Sequence, residues 1–305
     1  MEDYSSMTGL MARHLSGFIL AFHEIAPERF AGLIECLGPV RPIHLGELVQ
    51  RVAQGKSNAG LFAITVDDGV GENVRGLAKV LEAKGWPATF YLPTEYVETG
   101  EVMAFQWWRQ LKPLLPRGVV RKLGRRMRTL WDTKPRQDYL PWTMDLVQGI
   151  LDSGVARTAL QPPGPITWPE VAALGKSDLV RFESHGVTHT AMSALTEEQA
   201  TFELKHSRDA ITEHTGRECR HLAYPFGGDE SIGAAAPSIA RRYYDSATTM
   251  SLGRADGADP WRLPRIPLYE ETSKSIARLK LLLNCFVLHS GATRRTDMTA
   301  AEPSQ

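Results

Sequence analysis

An α/β fold on a mainly parallel sheet is predicted by three features of the sequence. Short apolar runs rich in β-branched residues alternate with segments of helical spacing, the pattern of successive β/α units joined by right-handed crossovers. About seven such runs can be counted, enough for a barrel or an open sheet. The least expected polar residues, Asp67-Asp68 and the pair His185 and His189, fall directly behind two of these runs. Those are the strand ends where parallel α/β folds place their sites.

Composition narrows the class. The 305 residues suffice for one barrel-sized domain or two smaller ones. A hydrophobic fraction of 43% and a charged fraction of 23% are those of an ordinary soluble globular protein. Lys plus Arg equals Asp plus Glu at 35 each, so no global field points to nucleic acid. Cys36, Cys219 and Cys285 lie far apart without CxxC spacing, which fits reduced thiols and gives neither a disulfide framework nor a zinc knot. The apolar run Gly17–Phe22 leads into His23-Glu24 rather than a small-residue cleavage site. No segment reaches the roughly 20 apolar residues of a membrane span, and Leu279–Leu288 is interrupted by Lys280 and Asn284. The expectation is a cytoplasmic protein, with attachment to a membrane surface left open.

In chain order, Met1–Ser16 is a polar lead-in and Gly17–Phe22 a first buried strand. Pro27–Leu37 places Phe30, Leu33, Ile34 and Leu37 on one helical face, with Pro27 in the first turn. Val40–Ile43 reads as a short strand, Gly46–Ala53 as a helix and Leu61–Val66 as a strand. Gly71–Ala83 has Val74, Leu77, Val80 and Leu81 at helical spacing, and Gly85 ends it. Ala88–Leu92 is the next strand. From Pro93 to Pro165 the texture changes to several prolines, Trp107-Trp108, the basic run Arg117–Arg128, Trp131 and Trp142, which reads as a helical insertion on the rim. Trp168–Leu174 resumes as a helix and Leu179–Glu183 as a strand ending at Ser184-His185. Thr196–Thr215 is a helix with a capping box at Thr196 and Gln199 and a stop at Gly216. His221–Tyr224 is a short strand, Ile232–Arg242 a helix despite Pro237, Tyr243–Ala247 a strand and Leu263–Leu268 a last extended piece. Ser290–Gln305 reads as disordered.

The stretch LFAITVDDG, Leu61–Gly69, runs a buried strand into two carboxylates. Carboxylates are rarely buried unless paired or bound to a metal, so one of the two is expected to hold an ion and the other to act as a base. In FESHGVTHT, Phe182–Thr190, His185 and His189 stand four residues apart. On a helical turn that spacing points both imidazoles the same way, about 5–6 Å apart at Cβ, a good bite for one divalent ion. With one aspartate they make a three-ligand set with positions left for water, the form a catalytic metal takes. Taken alone, Asp67-Asp68 also fits a turn and helix N-cap before Gly71–Ala83, and a lone histidine is more often structural than a ligand. The conjunction of the two stretches favours the site.

These residues resemble the polysaccharide deacetylases, carbohydrate esterase family four. The resemblance rests on TVDDG (Thr65–Gly69), SHGVTH (Ser184–His189) and AYPFG (Ala223–Gly227), with a looser DPWRLPRIPL (Asp259–Leu268), all in the family's order. It spans roughly Phe18 to Tyr269 and matches poorly over Pro93–Pro165. It implies a distorted (β/α) barrel of about seven strands with a helical insertion, and metal-dependent removal of an N-acetyl group from an amino sugar. By position, Asp67 is implied to be the general base, Asp68, His185 and His189 the metal ligands, and the backbone N–H of Phe226 an oxyanion donor. Tyr224, Pro225, Trp261 and Arg265 are expected at the substrate. The family's motif arginine falls on Ala223, with Arg265 the candidate replacement. The late Leu-x-x-His motif leaves His289 as candidate acid, with His23 the other candidate. Zinc suits such a ligand set, which nickel, cobalt, iron and manganese also share.

The domain reading is a catalytic domain over 17–270 with an insertion at 93–165, then a C-terminal helix and disordered tail over 271–305. The expected partner is an N-acetylated sugar of a surface polysaccharide or a lipid-linked precursor, with no nucleic acid and peripheral membrane contact left open. The sequence does not disclose an oligomeric state. A deformylase, an O-acetyl esterase, a non-catalytic carbohydrate-binding protein and a metal-free amidohydrolase are the rival readings. Arg117–Arg128 invites an anionic ligand such as a phosphate-bearing sugar lipid, but the stripe Val119, Leu123, Met127 and Leu130 favours an ordinary amphipathic helix with a solvated face. Trp107, Trp108 and Trp142 fit either sugar stacking or core packing. His44, His206, His214 and His221 have no companion at useful spacing and read as structural.

Overall fold

The computed structural model describes residues 17–153 and 160–286. Eight strands pair, every pair parallel: β1 (Phe18–Phe22), β2 (Arg41–Ile43), β3 (Leu61–Val66), β4 (Ala88–Leu92), β5 (Val180–Ser184), β6 (His221–Ala223), β7 (Ser246–Thr248) and β8 (Ile266–Pro267). Seven of them follow the order β7-β6-β5-β4-β3-β1-β8, and β2 lies beside the first half of β3. Leu263 bridges Thr248 before the chain continues as β8 against β1, so one short segment touches both ends of the path. The result is a half-barrel of parallel strands, the distorted (β/α) barrel that the sequence implied.

The helices among the described residues are α1 (Pro27–Glu35), α2 (Leu45–Ala53), α3 (Gly71–Lys84), α4 (Thr94–Thr99), α5 (Ala104–Leu111), α6 (Arg117–Thr133), α7 (Arg136–Asp152), α8 (Trp168–Leu174), α9 (Glu197–Thr215), α10 (Asp229–Ile232), α11 (Ala236–Ala240) and α12 (Lys274–Phe286). Their ends follow local chemistry. Gly85 and Gly216 close α3 and α9 in the left-handed conformation, and the Thr196–Gln199 capping box opens α9.

Strand alternation explains where the site sits. Phe18, Leu20 and Phe22 of β1, Phe62, Ile64 and Val66 of β3, and Phe90 and Leu92 of β4 share the large core with the helices. The alternate residues Ile19, Ala63, Tyr91 and Ala223 form a second cluster on the opposite face. On that face other strand positions are polar: Thr65, Thr89, Glu183, His221, Ser246 and Thr248 are all buried. Continuing the same parity beyond the strand ends brings Asp67 and His185 to the mouth of this polar interior.

The described part of the segment between β4 and β5 is mainly helical and owns a small core, with Leu111, Val147 and Leu160 buried against Trp107, Trp108 and Ile150. Its exit is tied to the Asp-Asp-Gly turn. Gly71 N–H donates to the Gly164 carbonyl, Ile166 N–H to the Gly69 carbonyl, and Val70 bridges Pro165. A Cβ on Gly71 would stand 2.9 Å from the Pro165 oxygen, so this contact requires glycine.

Three sequence expectations change. The helix expected over Ile232–Arg242 is two short helices, because Gly233 takes a φ of 70° and Pro237 starts a new turn. Only Ile266–Pro267 of the piece expected over Leu263–Leu268 pairs with β1, Leu263 serving β7 instead. His185 and His189 lie on a loop, not on a helical turn. The tail expected to be disordered lies outside the described residues.

Candidate active site

At the end of β3, Asp67 is 2% exposed and forms a two-pronged ion pair with Arg265. Nη1 meets Oδ1 at 2.7 Å and Nη2 meets Oδ2 at 2.7 Å. Arg265 is fully buried, donates further to the Thr65 hydroxyl and the Thr249 carbonyl, and packs its guanidinium 5.7 Å from the Tyr91 ring centre. Burial is the largest influence and pushes the Asp67 carboxyl up, but the charge and hydrogen bonds of Arg265 together with the neighbouring His185 and His23 outweigh it and hold Asp67 below the usual carboxylate range. The arginine missing at Ala223 is thus replaced from a different strand: Arg265 immediately precedes β8, and Ala223 closes β6. Arg265, expected at the substrate, has no surface to offer one and acts on Asp67.

Asp68 meets both histidines, and Asp67 Oδ2 also comes within 4.0 Å of His185 Nε2. Asp68 Oδ1 lies 3.5 Å from His189 Nε2 and 3.8 Å from His185 Nε2, and the three ligating atoms fall within 4.8 Å of one another. Among the described residues this is the group of acidic, histidine or cysteine side chains fit to hold an ion. Two donors about 2.1 Å from one tetrahedral ion stand about 3.4 Å apart, close to the spacing found. His185 Nδ1 donates to the Ala223 carbonyl at 2.7 Å, so Nε2 turns a lone pair toward the Asp68 oxygen. Burial pushes His185 down to about 4, which keeps that nitrogen unprotonated. A lone pair set against a buried carboxylate calls for a cation between them, and the donor set fits one divalent ion. Burial opposes the charge on Asp68 as well, yet the His189 contact and the neighbouring imidazoles carry its carboxyl far below the usual range.

The loop that brings the histidines together is shaped by Glu203 of α9. Its carboxylate accepts from the N–H groups of Val187 and Thr188 at 2.7 and 2.9 Å and from the Thr188 hydroxyl at 2.6 Å. Gly186 turns the chain with a φ of 77°. Asp68, His189 and Phe226 are the non-glycine residues with positive φ among those described, at 75°, 55° and 62°. All three were marked from sequence, and strained backbone of this kind gathers at functional sites. The Phe226 ring packs 4.8 Å from the His189 ring, and no acceptor among the described residues takes its N–H.

His23, at the end of β1, places Nε2 3.8 Å from Asp67 Oδ2 and is partly open to the cleft, its side chain 25% exposed. Asn73 fixes its backbone, donating to the His23 carbonyl and accepting from Ile25 N–H. His289 lies outside the described residues. Of the residues expected at the substrate, Tyr224 is buried with its hydroxyl donating to the Trp261 carbonyl, and the half-buried Trp261 donates its indole N–H to the Tyr244 carbonyl. Pro225 is buried beside Gly186.

The insertion reaches the same mouth. The Phe105 ring of α5 lies 5.8 Å from that of His189, and Arg136 at the start of α7 donates its N–H to the Thr190 hydroxyl. The Arg136 guanidinium also bonds Glu95, Glu101 and the Tyr96 hydroxyl. Arg109 of α5 pairs with Glu24 beside His23.

The family model for polysaccharide deacetylases matches residues 54–242, more than half of the chain. The chain belongs to the polysaccharide deacetylase family. No curated protein sequence matches it. Among solved structures it is similar to the Streptococcus pyogenes deacetylase PplD in complex with acetate, at 16% identity and a TM-score of 0.58 over 88% of this chain and 98% of that one. The BpsB deacetylase domain from Bordetella bronchiseptica shares 15% identity at a TM-score of 0.57, covering 84% of this chain and 97% of its own. IcaB from Ammonifex degensii shares 14% identity at 0.55, over 86% and 97%. At such identities the likeness is one of fold.

Sequence reasoning on this deacetylase missed Glu203, Asn73 and Thr65. Glu203 did leave a signal. It falls on the core-facing stripe of α9 with Ala200, Leu204, Ser207 and Ile211, where an acid has no structural reason to be unless it holds a backbone.

Proposed function

We propose that the protein is a divalent-metal-dependent N-deacetylase acting on an acetamido group of an amino sugar. The observation that carries this reading is the division of labour between the adjacent carboxylates: Asp67 locked to Arg265, Asp68 turned to His185 and His189. An ion held by Asp68, His185 and His189, with zinc the best match to these donors, supplies a Lewis acid for an otherwise poor electrophile. Asp67 takes the proton of the attacking water, and Arg265 keeps it ionised and aimed. The Phe226 N–H donates to the oxygen on which charge develops, a donor of the kind whose loss costs about 2.7–4 kcal/mol. His23, alone of the two candidate acids among the described residues, stands where it can hand a proton to the departing amine.

The substrate we propose is a precursor of a surface polysaccharide, soluble or lipid-linked, met in the cytoplasm or at the inner face of the membrane. No helix among the described residues is long and apolar enough to cross a membrane. The test is acetate release from N-acetylated sugars by metal-loaded protein, with metal content measured in parallel. Wild type is expected to release acetate, and Asp67→Asn to keep its metal while losing turnover. Release of formate or of ester-linked acetate in preference would replace the substrate class. Full activity after complete chelation would remove the metal from the mechanism.

A further inference from the structure

The exposed basic face of the insertion helix α6 borders an open cavity. Arg121, Arg125 and Arg128 fall at i, i+4 and i+7, one face of the helix, and all three line a cavity of about 580 Å³ with Lys112. The opposite wall is His23, Phe226 and Tyr269, so the cavity opens onto the reacting groups: His23 is 3.8 Å from Asp67, and the Phe226 ring touches His189. None of the lining residues is acidic. Gly124 lies on the same face and leaves the wall recessed, and Trp108 and Trp131 supply flat apolar surface beside the cations. Four cations beside ring-stacking surfaces match a ligand that joins a sugar to a phosphate ester, while the carboxylates Glu24, Glu270 and Glu271 lie in the adjoining cavity that shares His23, Lys112 and Tyr269.

We infer that this cleft is a phosphate subsite: the amino sugar that presents its acetamide to Asp67 carries a phosphate or diphosphate ester, held by Arg121, Arg125, Arg128 and Lys112. The inference rests on the deacetylase reading for its reaction and on the cavity for its ligand. Guanidinium forks suit phosphate oxygens, and anchoring the ester at the insertion positions the acetamide for the barrel's groups. Because the cations are exposed, binding weakens with ionic strength.

The test compares N-acetylglucosamine 1-phosphate, UDP-N-acetylglucosamine and a polyprenyl diphosphate N-acetylglucosamine with the uncharged methyl glycoside and N-acetylchitotriose. Wild type is expected to favour the phosphate esters at least tenfold in kcat/KM, and the nucleotide and polyprenyl arms separate a soluble from a lipid-linked source. Arg121→Gln/Arg125→Gln/Arg128→Gln is expected to bring the ratio of phosphorylated to neutral kcat/KM close to one, through KM rather than kcat. Arg117→Gln/Lys122→Gln, which removes charge from the same helix but not from the cavity, is expected to keep the ratio. A ratio unchanged in the triple variant, or lost equally in the control variant, overturns the subsite. A sugar carboxylate that competes as well as the phosphate also overturns it. Calorimetric titration with N-acetylglucosamine 1-phosphate reads the subsite without turnover. Binding lost in the triple variant upholds it even if no sugar is deacetylated, and absence of binding in wild type overturns it even if neutral sugars are.

Discussion

Asp67 and Arg125 face the same cleft under opposite constraints. In the barrel half each charge is buried and held in place, Asp67 by Arg265 at a strand end, Asp68 beside the two histidines that could share an ion with it, and Glu203 of α9 by backbone N–H groups. On α6 the arginines are exposed and meet no acid across their cavity. A buried charge is tolerated only while its partners stay in place, so the barrel half of the site is rigid and intolerant. An exposed charge costs little to place or to change, so the rim can be rewritten without disturbing the chemistry.

The largest effect expected is on turnover. Asp67→Asn removes the proposed base while leaving Asp68, His185 and His189 in place, and kcat is expected to fall about 10²–10⁴-fold with metal content unchanged. Next is stability: Arg265→Met leaves the Asp67 carboxylate buried and unpaired, and urea unfolding is expected to show a loss of about 3–5 kcal/mol. Arg125→Met on the rim is expected to stay within about 0.5 kcal/mol of wild type in the same experiment. Equal losses in the two variants would abolish the distinction.

That contrast also marks what the sequence could convey. Asp67, Asp68, His185 and His189 were legible because their types and positions behind strands are rare outside metal sites. The role of Arg265 was less so, since its partner lies almost two hundred residues away. The face of α6 is solvated as its periodicity indicated, with Arg121, Arg125 and Arg128 exposed and Met127 buried, but its setting was not legible. Periodicity shows that one side of a helix is charged, and only the fold shows that this side looks into a cavity. The helical turn expected at His185–His189 failed because spacing fixes separation along the chain, while Gly186 and Glu203 set the path between.

Smaller effects sharpen the comparison from within the barrel. Glu203→Gln trades charge-assisted bonds to Val187 and Thr188 for weaker ones and is expected to lower metal affinity about 10–100-fold, read by competition with a chelator. The smallest is a pH slope set by two neighbours in the polar interior, where Glu183 accepts the N–H of His221 at 2.7 Å. Burial pushes Glu183 up to about 7 from 4.5, so between those values the folded protein holds a proton the unfolded chain has lost, and this contribution falls as pH rises. Burial pushes His221 down to about 4 from 6.5, so across that window the unfolded chain binds the extra proton, and this contribution rises with pH. The slopes oppose each other. Glu183→Gln removes the first, and its melting temperature is expected to climb more steeply than that of wild type between pH 5 and 6.5.

The left-handed backbone at Asp68, His189 and Phe226 bears on how such a protein ages in evolution. Holding a residue with a side chain in that region costs about 1–3 kcal/mol, and glycine removes most of that cost for about 0.5–1 kcal/mol of added chain entropy. At Asp68 and His189 glycine therefore relieves the backbone while removing a side chain the proposed reaction needs, whereas at Phe226 it leaves the N–H donor in place and removes the ring packed on His189. Once selection for catalysis is relaxed, descendants drift toward well-folded, inactive chains, and the return journey must be made against stability.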